Sequence, residues 1–308
     1  MKKIKNYLSL IKFSHTIFAM PFALIGFSLP VLRAKADLNL QGNPTQTNQV
    51  AYLHPAWLIL ILVILCMVFA RSSAMAFNRY LDRNFDARNP RTAIREIPGG
   101  IIAPHQALRF TIICCLAFIG CCWFINPLCF YLSPVALLVI LGYSYTKRFT
   151  PLCHLVLGLG LSLAPIGAYL AVTGEFNWLP IFFSLSVIFW VSGFDIIYAL
   201  QDEEFDKSQN LYSIPSWLGK KWALTISELL HMLSALCVII AGSMGGFGWW
   251  YWTGVAVFIG MLIYQHSIVR PNDLSKVNVA FMTANGIASV VFAVFVIIDL
   301  FIRTHPKT

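Results

Sequence analysis

Nine stretches of about 20 predominantly apolar residues fill most of this 308-residue chain, and they limit its fold more than any motif does. They lie roughly at 16–32, 56–78, 107–126, 128–146, 153–172, 179–201, 222–241, 249–267 and 280–302. A helix of about 20 apolar residues crosses the hydrocarbon core of a bilayer. Inside that core every backbone polar group must be bonded internally, which leaves helices or a closed barrel. These runs are long and continuously apolar, not short and alternating, which argues against the barrel. The connections between them are too short for a separate soluble domain. The expected architecture is an all-α integral membrane bundle of nine transmembrane helices, one membrane-embedded domain over 1–308.

Charge supports this reading and orients it. Charged residues make up 11% of the chain, against roughly 25% in soluble domains, which excludes a soluble globular domain and a disordered chain. The net charge of +9 is diluted in apolar sequence, so a nucleic-acid partner is not expected. With the N-terminus in the cytoplasm, 17 of the 22 Lys and Arg fall on the cytoplasmic side. Arg33, Lys35, Arg303 and Lys307 fall on the other side, and Arg71 lies within the second helix. The positive-inside rule therefore predicts a cytoplasmic N-terminus, an opposite C-terminus and, for a bacterial chain, residence in the inner membrane. Lys2, Lys3 and Lys5 ahead of an apolar run, with Ala34-Lys35-Ala36 behind it, imitate a signal peptide. Lys35 inside the small-x-small site favours a first membrane helix instead. The eight cysteines contain no C-x-x-C pair and read as packing residues.

The acids are scarce and clustered. Seven of 13 sit in two short windows, Asp82 with Asp86, and Asp195 with Asp202, Glu203, Glu204 and Asp206. On a continuous helix Asn78, Asp82 and Asp86 would share one face, and Asp195, Asp202 and Asp206 would share another. Glu204 would point away into solvent. A charge held at the middle of a membrane costs about 2.5–3.5 kcal/mol on insertion scales, and like charges one turn apart repel. Two carboxylate rows therefore call for positive charge between them. A hard divalent cation suits them, since Mg²⁺ usually binds through one or two carboxylates plus substrate phosphates. Arg88, Arg91 and Arg95 follow the first row, and Lys147 and Arg148 close the fourth apolar run. Guanidinium and ammonium groups bind phosphate oxygens, so these residues, with Lys207, are candidate diphosphate ligands.

These residues carry a family resemblance. Asn78-x-x-x-Asp82-x-x-x-Asp86 and Asp202-x-x-x-Asp206 resemble the two aspartate-rich motifs of the UbiA-type membrane prenyltransferases. The likeness extends to Asn89-Pro90-Arg91-Thr92, to Tyr143-x-x-x-Lys147-Arg148, and to Asp206-Lys207 with Ser213-Ile214-Pro215. The opening Lys12-Phe13-Ser14-His15-Thr16-x-Phe18-Ala19-x-Pro21-Phe22 is similar to members acting on 4-hydroxybenzoate. The resemblance implies Mg²⁺ held on a polyprenyl diphosphate by Asp82, Asp86, Asp202 and Asp206, with Asn78 as an accessory ligand or hydrogen-bond donor. It implies roles for Tyr143, Lys147 and Asp195 in catalysis, Asp195 contacting either metal or acceptor. It also implies a central cavity open to the cytoplasmic side and to lipid, because the donor chain must enter from the bilayer.

The implied reaction joins the prenyl group to an aromatic acid, 4-hydroxybenzoate in quinone synthesis first and 1,4-dihydroxy-6-naphthoate or a related naphthoate for menaquinone second. A secondary transporter, in which intramembrane carboxylates bind ions, is the remaining class. Arg71, within a helix after an apolar run, is a functional-site candidate by its position. It would hold the acceptor carboxylate, a task open also to Arg148, or serve as a structural partner of Asp195 or of backbone carbonyls. His15 reads as an interfacial residue, and Trp249, Trp250, Tyr251 and Trp252 read as an aromatic belt at the outer surface.

Overall fold

The computed structural model describes residues 2–11, 18–41 and 54–304. His15 and most of the Lys12–Phe22 opening lie outside them, as do the side chains of Ala34, Lys35 and Ala36. The described residues form helices α1 (Lys2–Leu10), α2 (Met20–Gln41), α3 (Ala56–Leu81), α4 (Arg83–Arg88), α5 (Pro104–Ile125), α6 (Pro127–Thr146) and α7 (Cys153–Thr173). They continue with α8 (Trp178–Ala199), α9 (Glu203–Ser208), α10 (Ile214–Met244), α11 (Trp249–Ile268) and α12 (Asn285–Thr304). Among the described residues, seven helical stretches are long and apolar enough to cross a membrane. They match seven of the nine expected spans. The first and eighth spans correspond to α2, whose apolar stretch Met20–Arg33 is shorter, and to α11, where Trp, Tyr, Gln and His dilute the apolar character.

Helix starts follow local chemistry. Asn126 accepts a hydrogen bond from the Cys129 amide at 2.8 Å, and Pro127 occupies the first turn of α6, where its missing N–H costs nothing. Asn177 accepts from the Leu179 amide at 2.9 Å ahead of α8. Ser213 and Ser216 exchange side-chain and backbone hydrogen bonds at the start of α10.

The bundle has a filled part and a hollow part. Helices α2, α8, α10, α11 and α12 enclose an aromatic core that includes Phe22, Phe183, Trp190, Tyr251, Phe258 and Phe292. Their rings meet at centroid separations of 5.3–6.4 Å, tilted or edge to face. Tyr251 is fully buried and donates to the Val238 carbonyl at 2.6 Å. It therefore belongs to this core and not to the expected surface belt, because the four aromatic residues opening α11 point to different sides of the helix. Trp249 and Trp250 are exposed as the belt requires. A turn of π-helix, Val279–Ala284, leads into α12. Asn285 closes it by donating to the Ala280 and Phe281 carbonyls while accepting from Trp190 Nε1 and Gln265 Nε2, both at 2.8 Å. Helices α3, α5, α6 and α7 make the other part, which encloses a cavity.

Glycines set the helix spacing where the parts join. A Cβ on Gly26 of α2 would stand 2.0 Å from the Pro165 carbonyl oxygen of α7. One on Gly158 of α7 would stand 2.5 Å from the Ile188 carbonyl oxygen of α8. Small residues let membrane helices approach to backbone contact. Gly158→Ala is expected to cost about 1–3 kcal/mol, the usual range for overpacking, read as a lowered melting temperature of the detergent-purified protein. An unchanged melting temperature would show that α7 and α8 can separate freely.

Candidate active site

Both acidic motifs sit where a helix breaks. α3 stops at Leu81, Asp82 stands between helices, and α4 carries Asp86. In the second motif α8 stops at Ala199, a 3-10 turn runs Leu200–Asp202, and α9 carries Asp206. The continuous helix faces expected for the two rows are therefore interrupted at corresponding places. Asp82 and Asp202 each occupy the N-cap position of the following short helix without capping it through the side chain. A capping aspartate ordinarily stabilises a helix by about 1 kcal/mol. Both forgo that interaction and bond instead to side chains, Asp82 to Asn78 and Arg148, Asp202 to Asn89 and Arg91.

Each of the four motif aspartates meets a cation. Arg148 Nη2 lies 2.9 Å from Asp82 Oδ1, and Arg95 Nη1 lies 2.7 Å from Asp86 Oδ1. Lys147 Nζ lies 2.7 Å from Asp206 Oδ1, and Arg91 closes on Asp202 with two nitrogens. The neighbours Lys147 and Arg148 fork, one to each row. The loop after the first row reaches the second, since Asn89 Nδ2 also donates to Asp202 Oδ1 at 3.1 Å. Arg91 Nη1 adds a bond to the Tyr198 hydroxyl at 2.8 Å, and Ser213 Oγ donates to Asp206 Oδ2 at 3.0 Å. Asn78 Nδ2 donates to Asp82 Oδ2 at 3.0 Å, the hydrogen-bonding one of its two expected roles.

Electrostatics shows how closely the charges are balanced. Burial pushes the Asp82 carboxyl up to about 6, with Arg148 pulling it down and Asp86 adding to the rise. Burial works against the Lys147 ammonium, yet Asp206 beside it lifts its pKa above the ordinary lysine value. Two candidate cations stand apart from the rows. Arg88 is exposed and donates to Gln209 Oε1 at 3.1 Å, and Lys207 pairs with Glu203 at 2.6 Å. Glu204 is exposed, as the helix geometry predicts.

The donor set suits a hard cation. It consists of carboxylate oxygens, and Asp86 Oδ2 is buried without a hydrogen-bond partner. Among the described residues no three His, Cys, Asp or Glu side chains converge tightly enough to hold a metal by themselves. Such a site needs further oxygens from the ligand, which is how Mg²⁺ commonly binds phosphates.

Behind the rows lies an apolar cavity of about 350 Å³ walled by α3, α5, α6 and α7. It follows α7 from Leu157 to Ala171, a length of about 20 Å at helical rise. Val63, Phe118, Leu132 and Leu161 represent its lining. Its polar residues include Arg71 and Tyr143. Arg71 Nε is buried without a partner, so the structural pairing with Asp195 expected as one alternative is not formed. Tyr143 lies within electrostatic reach of Arg71, Asp82 and Asp195, which links the cavity to the rows. Val135 and Phe176 also line the cavity and are more than half exposed.

Asp195 is paired differently from the other four. His154 Nδ1 lies 2.7 Å from its Oδ2. Sequence reading missed His154, which lies far from Asp195 along the chain and carries no spacing signal.

The comparisons with known proteins agree with this geometry. A profile of the UbiA prenyltransferase family matches residues 50–287. A 4-hydroxybenzoate octaprenyltransferase of Nitrosomonas europaea is 30% identical over 258 residues, covering 82% of this chain and 86% of its own length. One from Aeromonas salmonicida is 28% identical and covers 77% of this chain and 81% of its own. Among solved structures, the apo form of a UbiA homologue from Aeropyrum pernix K1 has a TM-score of 0.73 at 26% identity, covering 92% of this chain and 95% of that one. A UbiA homologue from Archaeoglobus fulgidus bound to DMAPP and Mg²⁺ shares the fold, with a TM-score of 0.65 at 19% identity, covering 96% of this chain and 99% of that one. The family profile spans both interrupted aspartate rows and the cavity behind them, and by that match this chain belongs to the UbiA prenyltransferase family.

Proposed function

We propose that the chain transfers a polyprenyl group from a prenyl diphosphate to the ring of an aromatic acid, with 4-hydroxybenzoate as the acceptor. One observation carries this reading. Two aspartate rows, each aspartate paired with one of the cations Arg91, Arg95, Lys147 and Arg148, stand beside an apolar cavity that has Arg71 and Tyr143 in its wall. The names of the curated relatives supply the acceptor. No feature of the site favours a naphthoate over a benzoate. The transporter alternative gives way to membership of a prenyltransferase family.

In this reading Asp82, Asp86, Asp202 and Asp206 would hold Mg²⁺, with Asn78 supporting Asp82 through its hydrogen bond. The metal would supply Lewis-acid neutralisation of charge growing on the leaving diphosphate. Arg91, Arg95, Lys147 and Arg148 exchange carboxylate partners for phosphate oxygens, and that preorganised charge lowers the barrier to ionisation of the allylic carbon. Arg88 and Lys207, at the rim, steer the diphosphate toward the rows. Tyr143 and Arg71 orient the acceptor ring at the polar side of the cavity. The cavity takes the prenyl chain and keeps water from the cation, which would otherwise become an alcohol. Val135 and Phe176, exposed outside and lining within, support an opening toward lipid.

The chain is one membrane-embedded unit over 1–308, with its acidic end in the cytoplasm and its C-terminus on the opposite side. The distribution of Lys and Arg supports this orientation. The test is incubation of purified protein with Mg²⁺, prenyl diphosphates of several lengths and a panel of aromatic acids including both acceptors, with products read by mass spectrometry. Prenylated 4-hydroxybenzoate is the expected product. Prenylation of the naphthoate alone would reassign the acceptor, and no transfer with any pair would overturn the function.

A further inference from the structure

Five aspartates line the acidic end, and one of them has a neutral partner. Asp82, Asp86, Asp202 and Asp206 each face an arginine or lysine within ion-pair distance. A carboxylate held by a permanent cation, or by a metal that replaces it, is a poor proton acceptor. Asp195 faces an imidazole. His154 is buried in the first turn of α7, and its Nδ1 lies 2.7 Å from Asp195 Oδ2 on α8. Its other ring nitrogen, Nε2, accepts a hydrogen bond from the Ile214 amide at 3.4 Å, where α10 begins. An amide N–H aimed at Nε2 requires a lone pair there, which places the ring proton on Nδ1. The imidazole is then neutral and donates to Asp195. It orients the carboxylate without cancelling its charge.

The surroundings leave the second oxygen of Asp195 available. Its neighbours Phe194, Ile196 and Ile197 are buried, yet the Asp195 side chain keeps 24% of its surface open. Asp195 Oδ1 accepts no hydrogen bond from a described residue, and the side chain lies within electrostatic reach of Tyr143 in the cavity wall.

We infer that His154 is a positioning residue that holds Asp195 as the base removing the proton from the acceptor ring. This inference rests on the proposed prenyl transfer. Once the allylic carbon has bonded to the ring, that ring carbon carries both the prenyl group and its original hydrogen. The C–H electron pair returns to the ring and restores aromaticity. The proton passes to Asp195 Oδ1, making a neutral carboxyl that later releases it to solvent. His154 keeps its own proton throughout and touches no reacting atom.

The test compares wild type, His154→Leu, His154→Gln and Asp195→Asn in membrane-reconstituted protein, using acceptor with and without deuterium at the prenylated ring position. With the base well placed, proton loss is fast, and wild type shows no isotope effect on kcat. A misplaced base makes the C–H cleavage limiting. His154→Leu is expected to lose about 10²-fold in kcat, the scale of general-base catalysis, with both KM values unchanged and a primary isotope effect appearing. His154→Gln, whose side-chain amide can donate to Asp195 and accept from Ile214, is expected to recover most of the rate and to abolish the isotope effect. Asp195→Asn should show the larger rate loss. Loss of rate in His154→Leu without an isotope effect, or equal defects in the Leu and Gln variants, would overturn the inference and leave His154 a packing residue. Should His154→Leu fail to fold, the Gln and Asp195→Asn variants still decide the matter, since Asp195→Asn at wild-type rate excludes Asp195 as the base. Transfer by wild type with no defect in the variants refutes this inference alone. No transfer by wild type refutes the proposed function and this inference with it.

Discussion

Asp202→Asn is expected to abolish prenyl transfer, by at least about 10³-fold in kcat, while the protein remains folded and in the membrane. The magnitude follows from the role proposed for the carboxylate, since removing one charge from a metal-diphosphate site withdraws several kcal/mol of transition-state stabilisation. The fold should survive because an asparagine side-chain oxygen can still accept from Asn89 and Arg91, the two residues that hold Asp202 now. The substitution also removes the negative charge that opposes the Arg91 guanidinium, which should bind diphosphate at least as well as before. The expected signature is therefore a collapse of kcat without a matching rise in the donor KM. Asp82→Asn should behave the same way, because Asp82 occupies the corresponding helix break in the first motif. Mass-spectrometric product formation at saturating donor is the measurement. Wild-type turnover in either variant would remove the rows from the catalytic site.

Arg71→Ala is expected to raise the acceptor KM about 10–100-fold and to leave the donor KM within twofold. Arg71 lines the cavity, and its Nε is buried without a partner. A buried guanidinium left unsatisfied is costly, so its retention in a helix of this depth points to a ligand that completes it. A carboxylate does so with two parallel hydrogen bonds, each about 1.5–3 kcal/mol when charged. A neutral amide analogue of the acceptor tests the chemistry directly. It should bind wild type poorly and lose little further affinity in Arg71→Ala. Equal rises in the KM of both substrates would instead show that Arg71 shapes the cavity as a whole.

Much of the fold was legible because membrane burial writes itself into sequence. Seven of the nine expected spans are long apolar helices in the structure, and their starts at Asn126-Pro127 and Ser213-Ile214-Pro215 carry the local capping chemistry that marks them. α2 and α11, expected as the first and eighth spans, are the two that are not long apolar helices of this kind. Their apolar runs are short or interspersed with polar and aromatic residues, and α11 contributes Gln265 and Tyr251 to buried hydrogen bonds. Tyr251 was misplaced in a surface belt because neighbours in sequence point to different sides of a helix.

The candidate site was legible in its residue types and hidden in its pairings. Scarce acids at turn-like spacing in an apolar chain identified Asp82, Asp86, Asp195, Asp202 and Asp206. The spacing assumed continuous helices, and both rows are interrupted, at Asp82 and at Leu200–Asp202. Side-chain direction past such a break depends on the break itself, which periodicity does not describe. The consequences are specific. Arg91 reaches Asp202 in the other motif, Lys147 and Arg148 divide between the two rows, and Lys207 turns to Glu203.

The sequence by itself determined a membrane-embedded helical chain, the end at which its chemistry gathers and the hard-oxygen character of its acids. Those properties depend on composition and on local order along a helix, which residue spacing encodes. Only the tertiary structure decided which cation neutralises which carboxylate, that Arg71 keeps an unpartnered nitrogen beside an apolar cavity, and that Asp195 faces the ring of His154. Those relations join α3 to α6, α4 to α9 and α7 to α8 and α10, and they arise from how the helices pack against one another, not from any stretch of chain read alone.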